Sequence, residues 1–135
     1  MVALLFGASS GIGYATAKLL VKKGYTVLNA SRTQAAHSAI FNIACDVTKP
    51  GDIEHAVGYV LDSQKKIDVL IYAPGFSMAA PIEFAQEEDY RYLFEVNFFG
   101  AIKAIQSVVP AMRETGGRII LISSLGSILP IAFDS

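Results

Sequence analysis

The chain has 135 residues, 53% of them hydrophobic and 17% charged, with a formal net charge of −1. This length fits one domain, and the balance of 11 basic and 12 acidic residues excludes a strong electrostatic attraction to nucleic acid or an anionic membrane. The single cysteine excludes an intrachain disulfide framework and a multi-cysteine metal site, and it favours a reducing, cytoplasmic location. Apolar runs such as residues 119–122 are far shorter than the ~20 residues that span a bilayer, so we expect no membrane segment.

Short apolar runs alternate with helical patterns along the chain. Strands are predicted at residues 2–6, 25–30, 40–44, 67–72 and 118–123. Helices are predicted between Gly13 and a stop at Gly24 and after an N-cap at Thr48. A long helical stretch, of one helix or two, is predicted over residues 87–114, where Pro110 bends the helix or removes one hydrogen bond. Helical spacing predicts that the apolar stripe of the first helix contains Ile12, Ala15, Leu19 and Leu20. The alternation predicts an α/β fold with a parallel sheet, which binds ligands where its strands end.

A glycine-rich turn, Gly7-Ala-Ser-Ser-Gly11-Ile-Gly13, lies between the first predicted strand and the first predicted helix. A helix N-terminus attracts phosphate because it carries free N–H groups and about half a positive charge. Glycines also let the backbone approach a ligand closely. The turn therefore predicts a nucleotide site, although a plain strand–helix loop with glycines for geometry alone fits as well. The residues of this predicted site are Gly7, Ser9, Ser10, Gly11, Ile12 and Gly13.

The glycine spacing resembles that of the short-chain dehydrogenase/reductase family, and four later motifs follow in the family's order. These motifs are Cys45-Asp46-Val47, DVLIYAPG at 68–75, Val96-Asn97 and GRIILISS at 117–124. The resemblance covers nearly the whole chain. It implies a Rossmann-type doubly wound parallel sheet and hydride transfer between a nicotinamide and a small-molecule carbonyl or alcohol. We expect residues 1–135 to form a single incomplete NAD(P)-binding domain, truncated after the fifth strand.

The residues Ser31, Arg32 and Thr33 at the end of the second strand bear on the choice of cofactor. No Asp or Glu occurs between Gly24 and Cys45, so the carboxylate that would bind the adenosine ribose of NAD is missing. The guanidinium of Arg32 can instead hold the 2′-phosphate of NADP. We therefore expect NADP(H) in preference to NAD(H); the alternative is a solvated loop arginine.

The resemblance implies further cofactor contacts. It places Asp46 and Val47 at the adenine, although Asp46 could equally be a turn or helix-capping residue. It also places Ala73, Pro74 and Gly75 beside the cofactor. Phe76, Met78 and the loop 128–131 are candidates for an apolar substrate pocket, which core packing would explain equally well.

The resemblance also implies two catalytic residues. Ser124 matches the family's substrate-orienting Ser, and Asn97 matches the Asn of a proton relay, at a position where a polar side chain marks a break in the helix. The alternatives are a strand-end hydroxyl and an exposed or capping amide. The family's Tyr-x-x-x-Lys pair is expected beyond Ser124, but no Tyr or Lys follows that residue. Tyr14 and Lys18 have the right spacing on the wrong helix, so we assign them no catalytic role.

Two motifs depart from the family pattern where the first and fourth strands are neighbours. Phe6 replaces the usual Thr before the first glycine, and Tyr72-Ala-Pro-Gly75 replaces Asn-Asn-Ala-Gly. We expect more apolar packing between these strands. We also expect residues 119–122 and a stripe containing Phe98, Ile102 and Ile105 to be partly uncovered. Phe98 and Phe99 are interpreted as core or subunit contacts, and the long helix as the contact of a homo-oligomer.

The sequence therefore predicts an NADP(H)-dependent oxidoreductase whose 135 residues alone lack the acid/base pair and are inactive. Two alternatives stay open: a non-catalytic nucleotide-binding module, and a structural module completed by a partner chain. No metal site is expected, because His37 and His55 lack the spacing of metal ligands.

Overall fold

The computed structural model describes residues 1–78 and 81–127, so the loop 128–131 lies outside the described residues. Alternating strands and helices follow one another as the sequence predicts. The first half of the chain contains β1 (Val2–Phe6), α1 (Gly11–Lys22), β2 (Thr26–Ser31), β3 (Ile40–Ala44), α2 (Asp52–Gln64) and β4 (Val69–Tyr72). The second half contains α3 (Glu87–Phe94), a π-helical segment (Glu95–Phe99), α4 (Gly100–Thr115) and β5 (Arg118–Leu121), with short 3₁₀ turns at Ile82–Phe84 and Leu125–Ser127.

The strands form one parallel sheet in the order β3-β2-β1-β4-β5. The central strand β1 pairs with β2 on one side and with β4 on the other, so that Phe6 is in register with both Ala30 and Tyr72. The chain thus winds outward from β1 in both directions, which is the doubly wound Rossmann-type arrangement. The predicted fold class is confirmed, and its strand order reverses between β1 and β4, where such sheets bind ligands.

Both faces of the sheet are covered at its central strand, which explains why all five residues of β1 are buried. Leu4 and Phe6 face α2 and α4, whereas Ala3 and Leu5 face α1. The predicted apolar stripe of α1 is only partly confirmed. Leu20 packs against the buried cluster on this face of the sheet, but Ile12 and Leu19 are 65% and 53% exposed, and the buried residues of the helix are Gly13 and Ala17.

The predicted N-cap of α2 is wrong. Thr48 instead donates its backbone N–H and its hydroxyl to Oδ1 of Asp46, at 3.1 and 2.8 Å. The N-cap is Gly51, three residues after Thr48 and with a φ of 85°, and the helix begins at Asp52. Pro50 explains the delay, because a proline disfavours helical geometry at the residue before it.

Two regions are open to solvent. One is the face of α4 and the π segment that lies away from the sheet, and the other is the last strand, β5. Phe98 and Ile102 are 52% and 39% exposed, and Phe99 is exposed as well, so neither phenylalanine belongs to the core. Three consecutive residues from the end of β5, Ile120, Leu121 and Ile122, are also exposed. The predicted partly uncovered stripe is therefore confirmed. Within residues 1–78 and 81–127, no helix is long and apolar enough to cross a membrane.

Candidate functional site

A cleft of about 700 Å³ lies at the carboxyl ends of β1, β2 and β4. This volume is within the ~300–1,000 Å³ typical of sites for small molecules and cofactors. Every residue that the sequence predicts to bind the cofactor lines it: Gly7, Ser9, Ser10, Gly11, Ile12, Gly13, Ser31, Arg32, Thr33, Asp46, Val47, Ala73, Pro74 and Gly75. The cleft is completed by six residues that were not predicted as cofactor contacts: Ala30, Cys45, Phe76, Tyr92, Val96 and Ile122.

The glycine turn brings bare backbone to this cleft. Gly7 has a φ of 75°, and a Cβ atom there would lie 2.8 Å from the backbone nitrogen of Pro74. A Cβ on Gly13 would collide with the carbonyl oxygen of Gly7. At the start of α1, the side chain of the N-cap residue Ser10 makes no capping hydrogen bond. The first N–H groups of the helix are therefore left without a side-chain cap beside the cleft.

A buried polar network holds the backbone of the glycine turn. The sequence analysis missed the central residue of this network. Asn29 is fully buried in β2, and its Oδ1 accepts hydrogen bonds from the N–H of Ala8 at 2.9 Å and the hydroxyl of Ser31 at 2.6 Å. Its Nδ2 donates to Oδ1 of Asn42 on β3 at 2.9 Å. The sequence did contain a signal for this residue, because Asn29 is an amide in the middle of a predicted buried strand. Buried polar groups need hydrogen-bond partners, so such an amide indicates a polar network around it.

Arg32 and Tyr92 meet across the cleft. Nη1 of Arg32, just after β2, donates to the hydroxyl of Tyr92 on α3, with 3.2 Å between the two atoms. The ring of Tyr92 packs against Phe76, with 5.5 Å between the ring centroids. These contacts join residues that are far apart in the sequence, so no local motif marks them.

Asp46 lies at the other side of the strand ends. Burial alone would raise the pKa of its carboxyl, but the hydrogen bonds from Thr48 and the charges of Arg32 and Lys49 outweigh burial and lower that pKa. The neighbouring Cys45 is buried, and burial, aided by nearby carboxylates, raises the pKa of its thiol to about 12. At neutral pH, the cleft therefore has an ionised carboxylate and a neutral thiol at this edge.

The predicted catalytic residues lie outside the residues that line the cleft. Asn97 is in the π segment, so the predicted break in the helix is confirmed. Its Oδ1 accepts the N–H of Phe76 at 3.1 Å, and its Nδ2 donates to the carbonyl of Phe76 at 2.8 Å. Ser124 follows β5, and its hydroxyl oxygen accepts the N–H of Gly126 at 3.1 Å.

Tyr14 and Lys18, which share the spacing of the family's acid/base pair, lie on α1. The hydroxyl of Tyr14 donates to the carbonyl of Ala36 at 2.9 Å, and Nζ of Lys18 lies 4.6 Å from the centre of the tyrosine ring. Neither residue is among those that line the cleft.

The contact between β1 and β4 is apolar, as predicted. Phe6 and Tyr72 are in register, and their ring centroids lie 5.9 Å apart. The hydroxyl of Tyr72 is directed away from this pair, because it donates to the backbone carbonyl of Val96 in the π segment.

A family model, short chain dehydrogenase, matches residues 1–135 of the chain. The chain belongs to the short-chain dehydrogenase family. It is 34% identical over 134 residues to a 3-ketodihydrosphingosine reductase of Bacteroides thetaiotaomicron. The aligned region covers 98% of this chain and 50% of that protein. The chain is 33% identical over 132 residues to carbonyl reductase family member 4 of Xenopus laevis, and this alignment covers 92% of this chain and 56% of that protein. The chain thus spans about half the length of these short-chain dehydrogenase relatives.

Solved structures of the family superpose closely on the short-chain dehydrogenase fold of this chain. A short-chain dehydrogenase from Streptomyces avermitilis matches with a TM-score of 0.90 at 33% identity, covering 98% of this chain and 52% of that one. A 3-ketoacyl-(acyl-carrier-protein) reductase from Brucella melitensis, complexed with NADH, matches with a TM-score of 0.91 at 27% identity, covering 98% and 60%.

Proposed function

We propose that the protein is an NADP(H)-dependent oxidoreductase that interconverts a small-molecule carbonyl and an alcohol, and that residues 1–135 bind the dinucleotide. The observation that carries this proposal is the cleft at the strand ends, which is lined by every residue that the family resemblance assigns to the cofactor. Membership of the short-chain dehydrogenase family supports the reaction class. The NADH in the Brucella melitensis reductase supports a nicotinamide dinucleotide as the cofactor.

The chemistry of the cleft fits such a cofactor. The uncapped first turn of α1 offers N–H donors where a pyrophosphate would be bound, and Gly7 and Gly13 provide the tight backbone packing of the turn that precedes it. Arg32 offers guanidinium N–H groups where the adenosine would be bound. The ionised Asp46 and the buried Val47 offer an acceptor and an apolar contact for the adenine.

In the proposed mechanism, the hydride would be supplied or accepted by a nicotinamide bound in the cleft. The hydroxyl of Ser124 orients the substrate oxygen, and Asn97 takes part in proton transfer while its amide holds the backbone of Phe76. The general acid/base is a Tyr assisted by a Lys, and general acid/base catalysis contributes typically about 10²–10⁴-fold. No Tyr or Lys follows Ser124 within residues 1–135, so we propose that these residues alone bind the dinucleotide without turnover.

The proposed preference for NADP(H) rests on Arg32. Its guanidinium lines the cleft, and a hydrogen bond between charged groups contributes about 1.5–3 kcal/mol, or roughly ten- to a hundredfold in affinity. The test is fluorescence titration of the full-length protein with NADPH and NADH. We expect Arg32→Ala to weaken NADPH binding by that factor and to leave NADH binding nearly unchanged, while the control Arg113→Ala on α4 changes neither. Equal binding of the two nucleotides by the unmodified protein would contradict the preference.

We also propose a reducing, cytoplasmic location, which the single cysteine supports.

We further propose that α4 and the preceding π segment form the contact of a homo-oligomer. Phe98, Phe99 and Ile102 present adjoining apolar surface there, which a second copy would cover. Light scattering after size exclusion tests this. Phe98→Glu should reduce the mass to that of one subunit, whereas Phe41→Glu, at an exposed position on β3, should not. A single-subunit mass for the unmodified full-length protein would refute the contact.

A further inference from the structure

We propose that Tyr92 is a specificity-determining positioning residue, which holds the Arg32 guanidinium beside the place that the 2′-phosphate of NADP would occupy. This inference rests on the proposed preference for NADP(H) and deepens it. Arg32 is exposed, and without a partner its long side chain would sample many rotamers in solvent. A partner that restricts the arginine before the nucleotide arrives therefore improves binding of that nucleotide.

The geometry of the contact suits this role. Tyr92 reaches the cleft from α3, whereas Arg32 reaches it from the end of β2, and both line it. The tyrosine hydroxyl accepts one N–H of the guanidinium at 3.2 Å. Because the guanidinium has five N–H donors, four remain for a phosphate. The hydroxyl is neutral, so it orients the guanidinium without neutralising its charge.

Asp46 explains why the arginine needs a second contact. The carboxylate of Asp46 also lines the cleft, and the charge of Arg32 is one of the causes that lower its pKa. Without another partner, the guanidinium is attracted toward this carboxylate, which would compete with a phosphate for the same positive charge. The hydrogen bond to Tyr92 provides a competing attraction from α3.

Tyr92 is itself held in place from the opposite end of the cleft. Its ring packs on Phe76 with 5.5 Å between centroids, and both hydrogen-bonding groups of the Phe76 backbone are bound by the amide of Asn97. Tyr92 is therefore positioned by its own helix, α3, and by a phenylalanine whose backbone is bound to the π segment. A row of contacts thus runs from Asn97 through Phe76 and Tyr92 to Arg32.

The experiment compares two conservative variants of the full-length protein by fluorescence titration with NADPH and NADH. Tyr92→Phe removes the hydroxyl and keeps the ring on Phe76. We expect it to raise the Kd for NADPH roughly two- to tenfold, the range for immobilising one long side chain. The Kd for NADH should stay unchanged, since that nucleotide has no 2′-phosphate. The matched control, Tyr90→Phe, lies on the same helix but not among the residues that line the cleft, and it should change neither Kd.

Competition with nucleotide fragments adds a readout that a merely structural role would not change. In the Tyr92→Phe variant, 2′,5′-ADP should displace bound dinucleotide less effectively than it does in the unmodified protein. Displacement of the dinucleotide by 5′-AMP should be unchanged. An unchanged ratio of the NADPH and NADH Kd values would overturn the inference. A tighter NADPH complex would also overturn it, because the hydroxyl would then compete with the phosphate.

Arg32→Ala separates failure of this inference from failure of the cofactor proposal. If Arg32→Ala weakens NADPH binding and Tyr92→Phe does not, the preference stands and the role of Tyr92 is refuted. If the unmodified protein binds both nucleotides equally and Arg32→Ala changes nothing, both proposals are refuted.

Discussion

The hydroxyl of Tyr72 donates a hydrogen bond to the backbone carbonyl of Val96, with 2.5 Å between the two oxygens. Tyr72 ends β4, and Val96 lies in the π segment between α3 and α4. Both residues are buried, so this bond ties the end of the central sheet to the place where the long helical region changes its geometry. The same burial raises the pKa of the Tyr72 hydroxyl above its ordinary value of 10, so that it keeps its proton even in alkaline solution.

Removing this hydroxyl should destabilise the protein. Tyr72→Phe keeps the ring that packs on Phe6 but leaves the buried carbonyl of Val96 without its donor. An unsatisfied buried group costs about 1–3 kcal/mol, so we expect the free energy of unfolding to fall by that amount in urea denaturation. The control Tyr59→Phe, at a position 53% exposed on α2, should unfold like the unmodified protein. Equal stability of Tyr72→Phe would show that the bond contributes nothing.

Gly100 should be intolerant of even one added methyl group. It begins α4, and a Cβ there would collide with the hydroxyl of Tyr72. We expect Gly100→Ala to lower the free energy of unfolding by about 1–3 kcal/mol, despite the better helix propensity of alanine. Gly58→Ala is the matched control, because a Cβ on that glycine of α2 meets no atom within 4 Å. It should raise stability by about 0.5–1 kcal/mol.

A double variant tests the cause of the Gly100 effect. Once Tyr72→Phe has removed the hydroxyl, Gly100→Ala should cost less than it does in the unmodified protein, because the colliding oxygen is absent. If the two substitutions are simply additive, another contact is responsible.

Asn29 should matter both for stability and for the glycine turn. Asn29→Ala removes the acceptor of the Ala8 N–H and of the Ser31 hydroxyl, and the donor to Asn42. We expect a loss of about 1–3 kcal/mol for each buried group left without a partner. Hydrogen exchange of the Ala8 amide should also accelerate. The exposed Gln34→Ala is the control, and slow exchange at Ala8 in the Asn29 variant would refute the role of the amide.

Acid should weaken the protein through Asp68. Burial alone would raise the pKa of this carboxyl, but the hydrogen bond from the Val2 N–H at 2.6 Å, together with Lys66 and the N-terminal charge, lowers it from its ordinary value of 3.8. Because the folded-state pKa is the lower one, the contribution to stability is complete above about pH 3.8 and is lost as the pH falls through the folded-state value. Urea denaturation between pH 7 and pH 2.5 should show this decline.

The Asp68→Asn variant identifies the group responsible for the acid response. It should be less stable than the unmodified protein at pH 7, and the difference should shrink as the pH falls below 3.8. A constant difference between the two proteins across this range would assign the acid sensitivity to other carboxyls.

Local patterns predicted most of the fold. The strand β3 is found over Ile40–Ala44 as predicted, and β1 over Val2–Phe6, because a short buried run between polar turns has few alternatives in this fold. The prediction was only partly right on α1, where Leu20 of the predicted apolar stripe packs against the core but Ile12 and Leu19 are exposed. The glycine turn brings the start of α1 close to the sheet, so that small residues, Gly13 and Ala17, are the buried ones, while Leu20 and Val21 pack at the side.

The cleft itself was predictable, but the contacts that shape it were not. The glycine turn, Arg32 and Asp46 each end or follow a strand of β1–β3, and parallel strands bring their carboxyl ends to one edge. Tyr92 and Phe76 gave no such signal, since aromatic residues on an amphipathic helix and in a loop are usual features of any globular domain.

The sequence by itself determined the class of fold, the order of its motifs and the family, because each motif is a run of neighbouring residues whose spacing is local. Only the tertiary structure decided that Arg32 meets Tyr92, sixty residues later, and that Asn29 holds the glycine turn. Such contacts depend on how α3 and β2 are oriented around the cleft. That orientation follows from packing of the whole core, which no short stretch of sequence specifies.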